Sequence, residues 1–435
     1  VTYAVFNDLK EKLDALEDAA DRLSQTGSLS IFRAKSVTSS DENIVTATAT
    51  SSAVTGSHTI FVSQLAHAHT VVSNRYDQDG TSLSQSYAGT KTFSITIGSD
   101  SYDVSVTISS GDTNEDVLSA IASAINDATD GAVSASVVLD TPTTCKLSIR
   151  SGTTGTVGKM TFTDTDGLLG ALGVTNQSQA TDTVGGYIYA DLGNNELDAL
   201  LTIDGINIIS SSNTVENVLE GLTINLLAEQ EQGDAPVTIT VSIDVESITS
   251  EIEDFLSAFN DAYSYIVAKT NVDSDTYERG ALAGEFAYTR LRTELREIMT
   301  RIVSGVSSTY QALSQIGITS DRSGNFSISD EELLEEALAS DLEGVEALFN
   351  SENGVASAIE ELISEYTAPG GTISASQEAI NSKMDVIDDR IDRQEYYIEL
   401  REKDLRRRYG ALQDTLYALQ MASAVAESFS AILGL

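Results

Sequence analysis

From Ile380 onward an apolar residue returns at every seventh position of this 435-residue chain: Met384, Ile391, Ile398, Leu405, Leu412 and Leu419. Ile380 and Ile387 fill the alternate seam positions. A heptad repeat held this long demands a partner helix, because a lone helix in water gains nothing from an apolar stripe. The opposite end of the chain carries the same spacing in Phe6, Leu9, Leu13, Leu16, Ala20 and Leu23. The sequence therefore predicts that the two ends pair into a helical stem, with everything between them an excursion from it.

Two arginines interrupt the seam. Arg401 and Arg408 hold places that Ile387 fills earlier in the repeat, within the basic cluster Arg401, Lys403, Arg406, Arg407 and Arg408. A polar residue on a seam fixes register or partner at a cost in stability. The cluster is expected to dock on acidic side chains of a neighbouring helix or subunit. The alternative is a drifting heptad frame with solvated arginines. Beyond Leu419, the residues Met421, Val425, Phe429, Ile432 and Leu433 form a further stripe that also needs a partner.

The middle of the chain has a different period. Phe93, Ile95 and Ile97 alternate with polar residues, then Tyr102, Val104, Val106 and Ile108 do the same, with a turn at Gly98–Asp100 between them. Thr113 and Asp116 have capping-box spacing and open a helix whose buried face is Val117, Leu118, Ile121, Ala124 and Ile125. Strands are expected at Val133–Leu139, Cys145–Ile149, Ala199–Ile203, Ile206–Ile209, Leu222–Leu227 and Val237–Ile243, with a helical turn at Thr214–Leu219. From Val245 the helical period returns, with Ile252, Phe255, Leu256, Phe259, Tyr263 and Ile266 on one face. Further helices are expected at about 281–304 and 330–348, and Gly370-Gly371 breaks the chain before the terminal helix.

Charge narrows the partners. Lys and Arg total 25 against 66 Asp and Glu, a formal net charge of −41. Such a chain repels nucleic acid and anionic lipid. A halophilic proteome is another source of the same acidity. Only seven basic residues lie between positions 31 and 250, and fifteen lie beyond. No run of about eighteen apolar residues offers a membrane span. The single cysteine, Cys145, excludes a disulfide framework and falls in an alternating strand, where a buried apolar role is expected.

Residues with catalytic potential are scarce. Gly152–Met160 contains Gly158-Lys159 but lacks the Walker spacing, since Thr153 and Met160 stand where a glycine and a hydroxyl residue belong. Asp321–Asn325 places Gly324 too early for a calcium loop and reads as a turn into Phe326–Ile328. His67 and His69 share a strand face without a third ligand and read as half-exposed polar residues; His58 is the only other histidine. No catalytic, cofactor or metal site is expected, and the chain reads as a structural subunit rather than an enzyme.

Several motifs in order resemble the flagellar filament cap family, also called hook-associated protein 2. Ser39-Ser40-Asp41, Thr46–Ala53, Gly56 and Val62-Ser63-Gln64-Leu65-Ala66 resemble its N-terminal module. Residues 90–165, with Asn126 after Ala124-Ile125, resemble the repeat inserted in flagellins and caps. Ile203-Asp204-Gly205, Ser212-Asn213-Thr214-Val215 and Gly221-Leu222-Thr223 are the most specific match. Phe259-Asn260, Ile316-Gly317-Ile318 with Asp321 and Gly324, and Leu348-Phe349 continue it. Tyr409 stands where the family usually has phenylalanine.

The resemblance implies a homo-oligomeric ring of four to six subunits at the distal flagellar tip, with helical legs and a β plate, that promotes flagellin folding and insertion and prevents monomer loss. It also implies flagellin and an export chaperone as partners, and export by the flagellar type III route without a cleaved signal peptide. Two other functions fit the same residues: a sister axial protein (flagellin or a hook–filament junction protein), or an adhesin binding host glycan or mucin. The expected fold is multidomain α+β. A coiled-coil stem combines 1–30 and 246–435, a discontinuous β domain combines 31–73 and 184–245, and a flagellin-repeat-like α+β domain covers 74–183. The residues expected at helix–helix or oligomer contacts are Phe6, Leu9, Leu13, Leu16, Met384, Ile387, Ile391, Ile398, Leu405, Leu412, Leu419, Arg401 and Arg408.

Overall fold

Apolar residues repeating every second position build the strands of this protein, and those repeating every 3.6 build its helices. The computed structural model describes residues 2–189, 195–272, 277–306 and 309–433, with the side chains of Thr2 and of residues 429–433 outside the description. The chain divides into two compact units, Gly27–Ser247 and the combination of Val1–Thr26 with Ile248–Leu435.

Helix α1 (Thr2–Ser24) comes first. The Gly27–Ser247 unit then runs through β1 (Lys35–Ser39), β2 (Val45–Ala49), β3 (Gly56–Gln64), β4 (Ala68–Val72), β5 (Tyr76–Asp77) and α2 (Ser82–Tyr87). The hairpin β6 (Gly89–Ile97) and β7 (Asp100–Ile108) leads to α3 (Asn114–Thr129), β8 (Val133–Thr141), β9 (Thr144–Thr154), β10 (Met160–Asp164), α4 (Leu168–Leu172) and β11 (Gly186–Tyr187). Strands β12 (Ala199–Ile203), β13 (Ile206–Ser210), β14 (Thr214–Glu216), β15 (Leu222–Leu226) and β16 (Val237–Ile243) close this unit. The helical unit resumes with α5 (Val245–Thr270), α6 (Phe286–Thr300), the hairpin β17 (Ile318–Ser320) and β18 (Phe326–Ile328), α7 (Glu331–Ser340), α8 (Leu342–Asn350), α9 (Val355–Thr367) and α10 (Thr372–Leu433).

Two large cores lie in the Gly27–Ser247 unit, beside a small cluster of Ala53, Leu222 and Val241. In one, an antiparallel sheet ordered β1-β16-β3-β12-β13 faces a three-stranded sheet ordered β14-β15-β2. Their alternating inward residues Ile60, Val62, Leu201, Ile203, Ile224, Leu226 and Ile239 meet between the sheets. In the other, the sheet β10-β6-β7 and the sheet built on β4, β9 and β8 enclose α3. Leu118, Ile121 and Ile125 of α3 pack there with Phe93, Ile95, Val104, Leu147 and Ile149. The capping box at Thr113 and Asp116 forms: the Asp116 N–H donates to Thr113 Oγ1 at 3.1 Å and the Thr113 N–H to Asp116 Oδ2 at 3.1 Å. Cys145 is fully buried in β9 and pairs with Leu139 across the ladder.

Four elements depart from the sequence-based expectation of secondary structure. Thr214–Leu219 is not a helical turn; Thr214–Glu216 is strand β14, because Val215 pairs with Ile224 of β15 and buries its side chain. The helix expected over 281–304 is confined to Phe286–Thr300. The helix expected over 330–348 is two helices. Asp341 interrupts it, and its carboxylate accepts the Gly344 N–H at 2.9 Å as the N-cap of α8. Helix α9 was not anticipated, although Val355, Ile359, Leu362, Ile363 and Tyr366 form its buried face.

Candidate interaction surface

The two heptad stripes have opposite surroundings. On α1, Leu9, Leu13, Leu16, Ala20 and Leu23 are fully buried and Phe6 nearly so. Their cover comes from α9, α8 and the first turns of α10. Phe6 packs against Tyr288 of α6 with ring centroids 5.6 Å apart. Polar contacts edge the same helix. Arg22 Nε donates to Glu251 of α5 at 2.6 Å, and Thr367 of α9 donates to Glu17 at 3.0 Å. Tyr265 of α5 donates to Asp8 at 3.1 Å; burial and that carboxylate push its pKa up to about 12.

The predicted pairing of the chain ends is therefore corrected. α1 meets α10 only at the start, where Gln377 Nε2 donates to Asn7 Oδ1 at 2.9 Å. The physical reason is local supply: α8 and α9 already cover the α1 stripe.

Met384, Ile387, Ile391, Ile398, Leu405, Leu412 and Leu419 are all exposed, between 49% and 65%. Met421 and Val425 continue the exposed stripe, and the side chains of Phe429, Ile432 and Leu433 lie outside the described residues. α10 has 62 residues, about 90 Å at 1.5 Å per residue. Beyond Ile380 no other described part of the chain covers it.

The basic cluster pairs along its own helix. Lys403 contacts Glu399 at 2.9 Å, Arg407 contacts Asp404 at 3.2 Å, Arg408 contacts the same Asp404 at 2.9 Å, and Arg406 contacts Glu402. Spacings of three and four residues place these groups on adjacent turns, which supports an isolated helix. Among the described residues Arg401 has no carboxylate partner.

One histidine differs from expectation, while His67 is half-exposed as expected. His69 is not half-exposed but fully buried. Its Nδ1 accepts the Met160 N–H at 2.8 Å, and the Tyr187 ring stands edge-on at 4.7 Å. Burial, helped by Lys159, lowers its pKa to about 4, so the ring is neutral. His67 stacks on Tyr189 at 4.4 Å. His58 Nδ1 lies 2.7 Å from Asp204 Oδ2, a hydrogen bond that, with the Thr59 N–H, holds the Asp204 carboxyl below its usual range. Gly152–Met160 is the end of β9, a tight turn and the start of β10. Asp321 closes a turn by accepting the Ser323 and Asn325 N–H groups at 2.8 and 2.9 Å.

Three asparagines within the motifs that resemble a known family act as backbone staples. Asn126 donates from Nδ2 to the Ala135 carbonyl at 2.9 Å and accepts the Ala135 N–H at 2.8 Å. Asn213 grips Ala66 the same way, donating at 3.0 Å and accepting at 2.6 Å. Asn260 grips Phe326, donating at 2.8 Å and accepting at 2.7 Å. A side-chain amide carries one acceptor and donors in peptide geometry, so it can satisfy both backbone groups of one residue. Gly221 has φ +74°, and a Cβ there would lie 2.6 Å from the Ala53 nitrogen.

Comparison with known proteins agrees with these motifs. The family model described as the flagellar hook-associated protein 2 C-terminus matches residues 197–421, and its N-terminal counterpart matches residues 2–69. The A-type flagellar hook-associated protein 2 of Pseudomonas aeruginosa is 25% identical over 452 aligned positions, covering 100% of this chain and 91% of that protein. The flagellar hook-associated protein 2 of Escherichia coli K12 is 29% identical, covering 90% of this chain and 83% of that protein. The crystal structure of the D1-D2-D3 domains of the E. coli flagellar cap protein superposes with a TM-score of 0.66 at 28% identity, over 87% of this chain and 99% of that one. The chain belongs to the flagellar hook-associated protein 2 family, the flagellar cap proteins, and is a structural component of the flagellum rather than an enzyme.

Proposed function

We propose that this protein acts as a closed homo-oligomeric ring of four to six subunits at the distal tip of the flagellum, where it shelters emerging flagellin, promotes its folding and insertion, and prevents loss of monomers. The observation that carries this reading is the uncovered heptad stripe of α10. About fifty helical residues present Met384, Ile391, Ile398, Leu405, Leu412 and Leu419 to solvent. A soluble chain leaves such a seam open for a partner outside itself. The helix is long enough to act as a leg reaching from the ring to the filament. Export by the flagellar type III route, with a chaperone covering this helix until secretion, fits the same exposed stripe.

Complementation tests the reading. A strain lacking its cap protein is given the full chain, or the chain with Ile391, Ile398 and Leu405 changed to Ser. The wild-type chain is expected to restore filaments and to keep flagellin off the medium. The triple variant is expected to fold and be secreted yet leave flagellin in the medium. Normal filaments from the triple variant would overturn the role of the stripe.

A further inference from the structure

An acidic chain that assembles with itself must overcome its own repulsion. At a net charge of −41, two copies repel wherever their surfaces are alike. Close approach therefore needs a local patch of the opposite sign, and the helical unit contains one.

Helix α6 carries Arg290, Arg292 and Arg296 within two turns. Arg290 is paired with Glu294 at 2.8 Å. Among the described residues neither Arg292 nor Arg296 has a carboxylate partner; the one polar contact of Arg292 is a 3.5 Å approach to Thr270 Oγ1. Both arginines line an open cleft of about 470 Å³ between α5, α6 and the β17–β18 turn. Tyr263 and Val267 of α5 and Ser323 of the turn also line it, and Glu297 is the one carboxylate there. The turn is held close over the aromatic ring: Gly324 has φ +90°, and a Cβ there would lie 2.8 Å from Tyr263. Arginines beside an aromatic ring that are not engaged in an ion pair form a receptor for carboxylates.

The complementary face is on α7 of the same chain. Leu334, Ala337 and Leu338 point inward, and Glu331, Glu332, Glu335 and Glu336 are exposed. None of these glutamates has an ion-pair partner among the described residues. Glu332 and Glu336 lie farthest from the buried side and are four residues apart, as are Arg292 and Arg296. Both pairs are thus separated by about 6 Å along their helices.

We infer that α7 of one copy docks its Glu332 and Glu336 into the Arg292–Arg296 cleft on α6 of the next. The two halves are different surfaces of one chain, so the contact is head-to-tail, and repetition closes a ring when the rotation permits. The inference rests on the ring reading above and assigns residues to one of its junctions.

The test uses the full chain and light scattering across a concentration series. Arg292→Glu/Arg296→Glu is expected to shift assembly to at least about tenfold higher concentration, and Glu332→Arg/Glu336→Arg is expected to do the same. An equimolar mixture of the two variants is expected to recover assembly relative to either variant alone, because wherever the two alternate each junction joins opposite charges, an odd-membered ring keeping a single like-charged junction. Circular dichroism melts confirm that each variant is folded; Arg292→Ala/Arg296→Ala replaces the reversal if it is not. Assembly of the cleft variant at the wild-type concentration would overturn the junction and leave the ring reading standing. A mixture that stays dissociated would also overturn the pairing. A wild-type chain that is monomeric throughout would overturn both.

Discussion

Two helices of this protein carry the same apolar spacing and have opposite fates. The stripe of α1 is sealed by α8, α9 and the start of α10, whereas the stripe of α10 is open along about fifty residues. Periodicity states that a face requires cover, but it does not state who provides it. For α1 the supply is internal because α8 and α9 fold back against it. For α10 beyond Ile380, none of the other described helices lies over the stripe.

This contrast can be broken by measurement. The largest effect is expected inside the closed stripe. Leu13→Ala deletes a fully buried side chain and is expected to lower unfolding stability by about 3 kcal/mol in urea titrations. Ile398→Ala on the open stripe is expected to change the same titration by less than about 0.5 kcal/mol, because its side chain is 64% exposed. Equal losses at both sites would mean that the isolated chain covers α10 in solution.

Polar closures inside the chain should be smaller but still measurable. Asn260→Ala removes both partners of the Phe326 backbone and is expected to cost about 2 kcal/mol. Asn260→Asp retains the acceptor and loses the donor, so it should fall between wild type and Ala. His69 offers a pH-dependent counterpart. Its folded pKa is about 4 and its unfolded value about 6.5, so the unfolded chain binds the extra proton in that window. The stability tied to the neutral ring is present above about pH 6.5 and is lost as pH falls towards 4, by about 2 kcal/mol between pH 7 and pH 5. His69→Asn keeps an acceptor for the Met160 N–H without a titrating ring. It is expected to flatten the wild-type pH dependence across that window.

How much of this was legible follows from where each signal resides. Alternation placed β6, β7, β12, β15 and β16, and the Thr113–Asp116 spacing placed the start of α3, because these signals are local. Val215 became a strand residue through Ile224, a partner on another strand that no local window contains. Asp341 split a predicted helix because its carboxylate prefers to cap α8. The α9 periodicity at Val355, Ile359, Leu362 and Tyr366 was present and readable. The α10 stripe was visible in full, but its partner was misplaced, since pairing the two ends ignored the helices between them. His69 looked like a polar strand residue; only the close approach of β10, through Met160, makes it a buried acceptor.

The smallest expected effect sharpens the open side of the contrast. Arg408 is already engaged by Asp404 at 2.9 Å on its own helix, whereas among the described residues Arg401 has no such carboxylate. Exposed pairs of this kind add little to unfolding stability. Arg401→Glu and Arg408→Glu are both expected to leave the melting curve of the isolated chain unchanged. Their effects on assembly should differ. Arg408 is largely satisfied within its helix, so its reversal mainly unsettles Asp404. Arg401 keeps its charge available on the seam, so its reversal should raise the concentration needed for assembly by about threefold, and added salt should shrink that difference. Equal behaviour of the two variants in assembly would mean that the intrahelical pairs do not divide the seam into satisfied and available charges. The arginines would then be solvated alike, and the specificity of α10 would rest on its apolar residues alone.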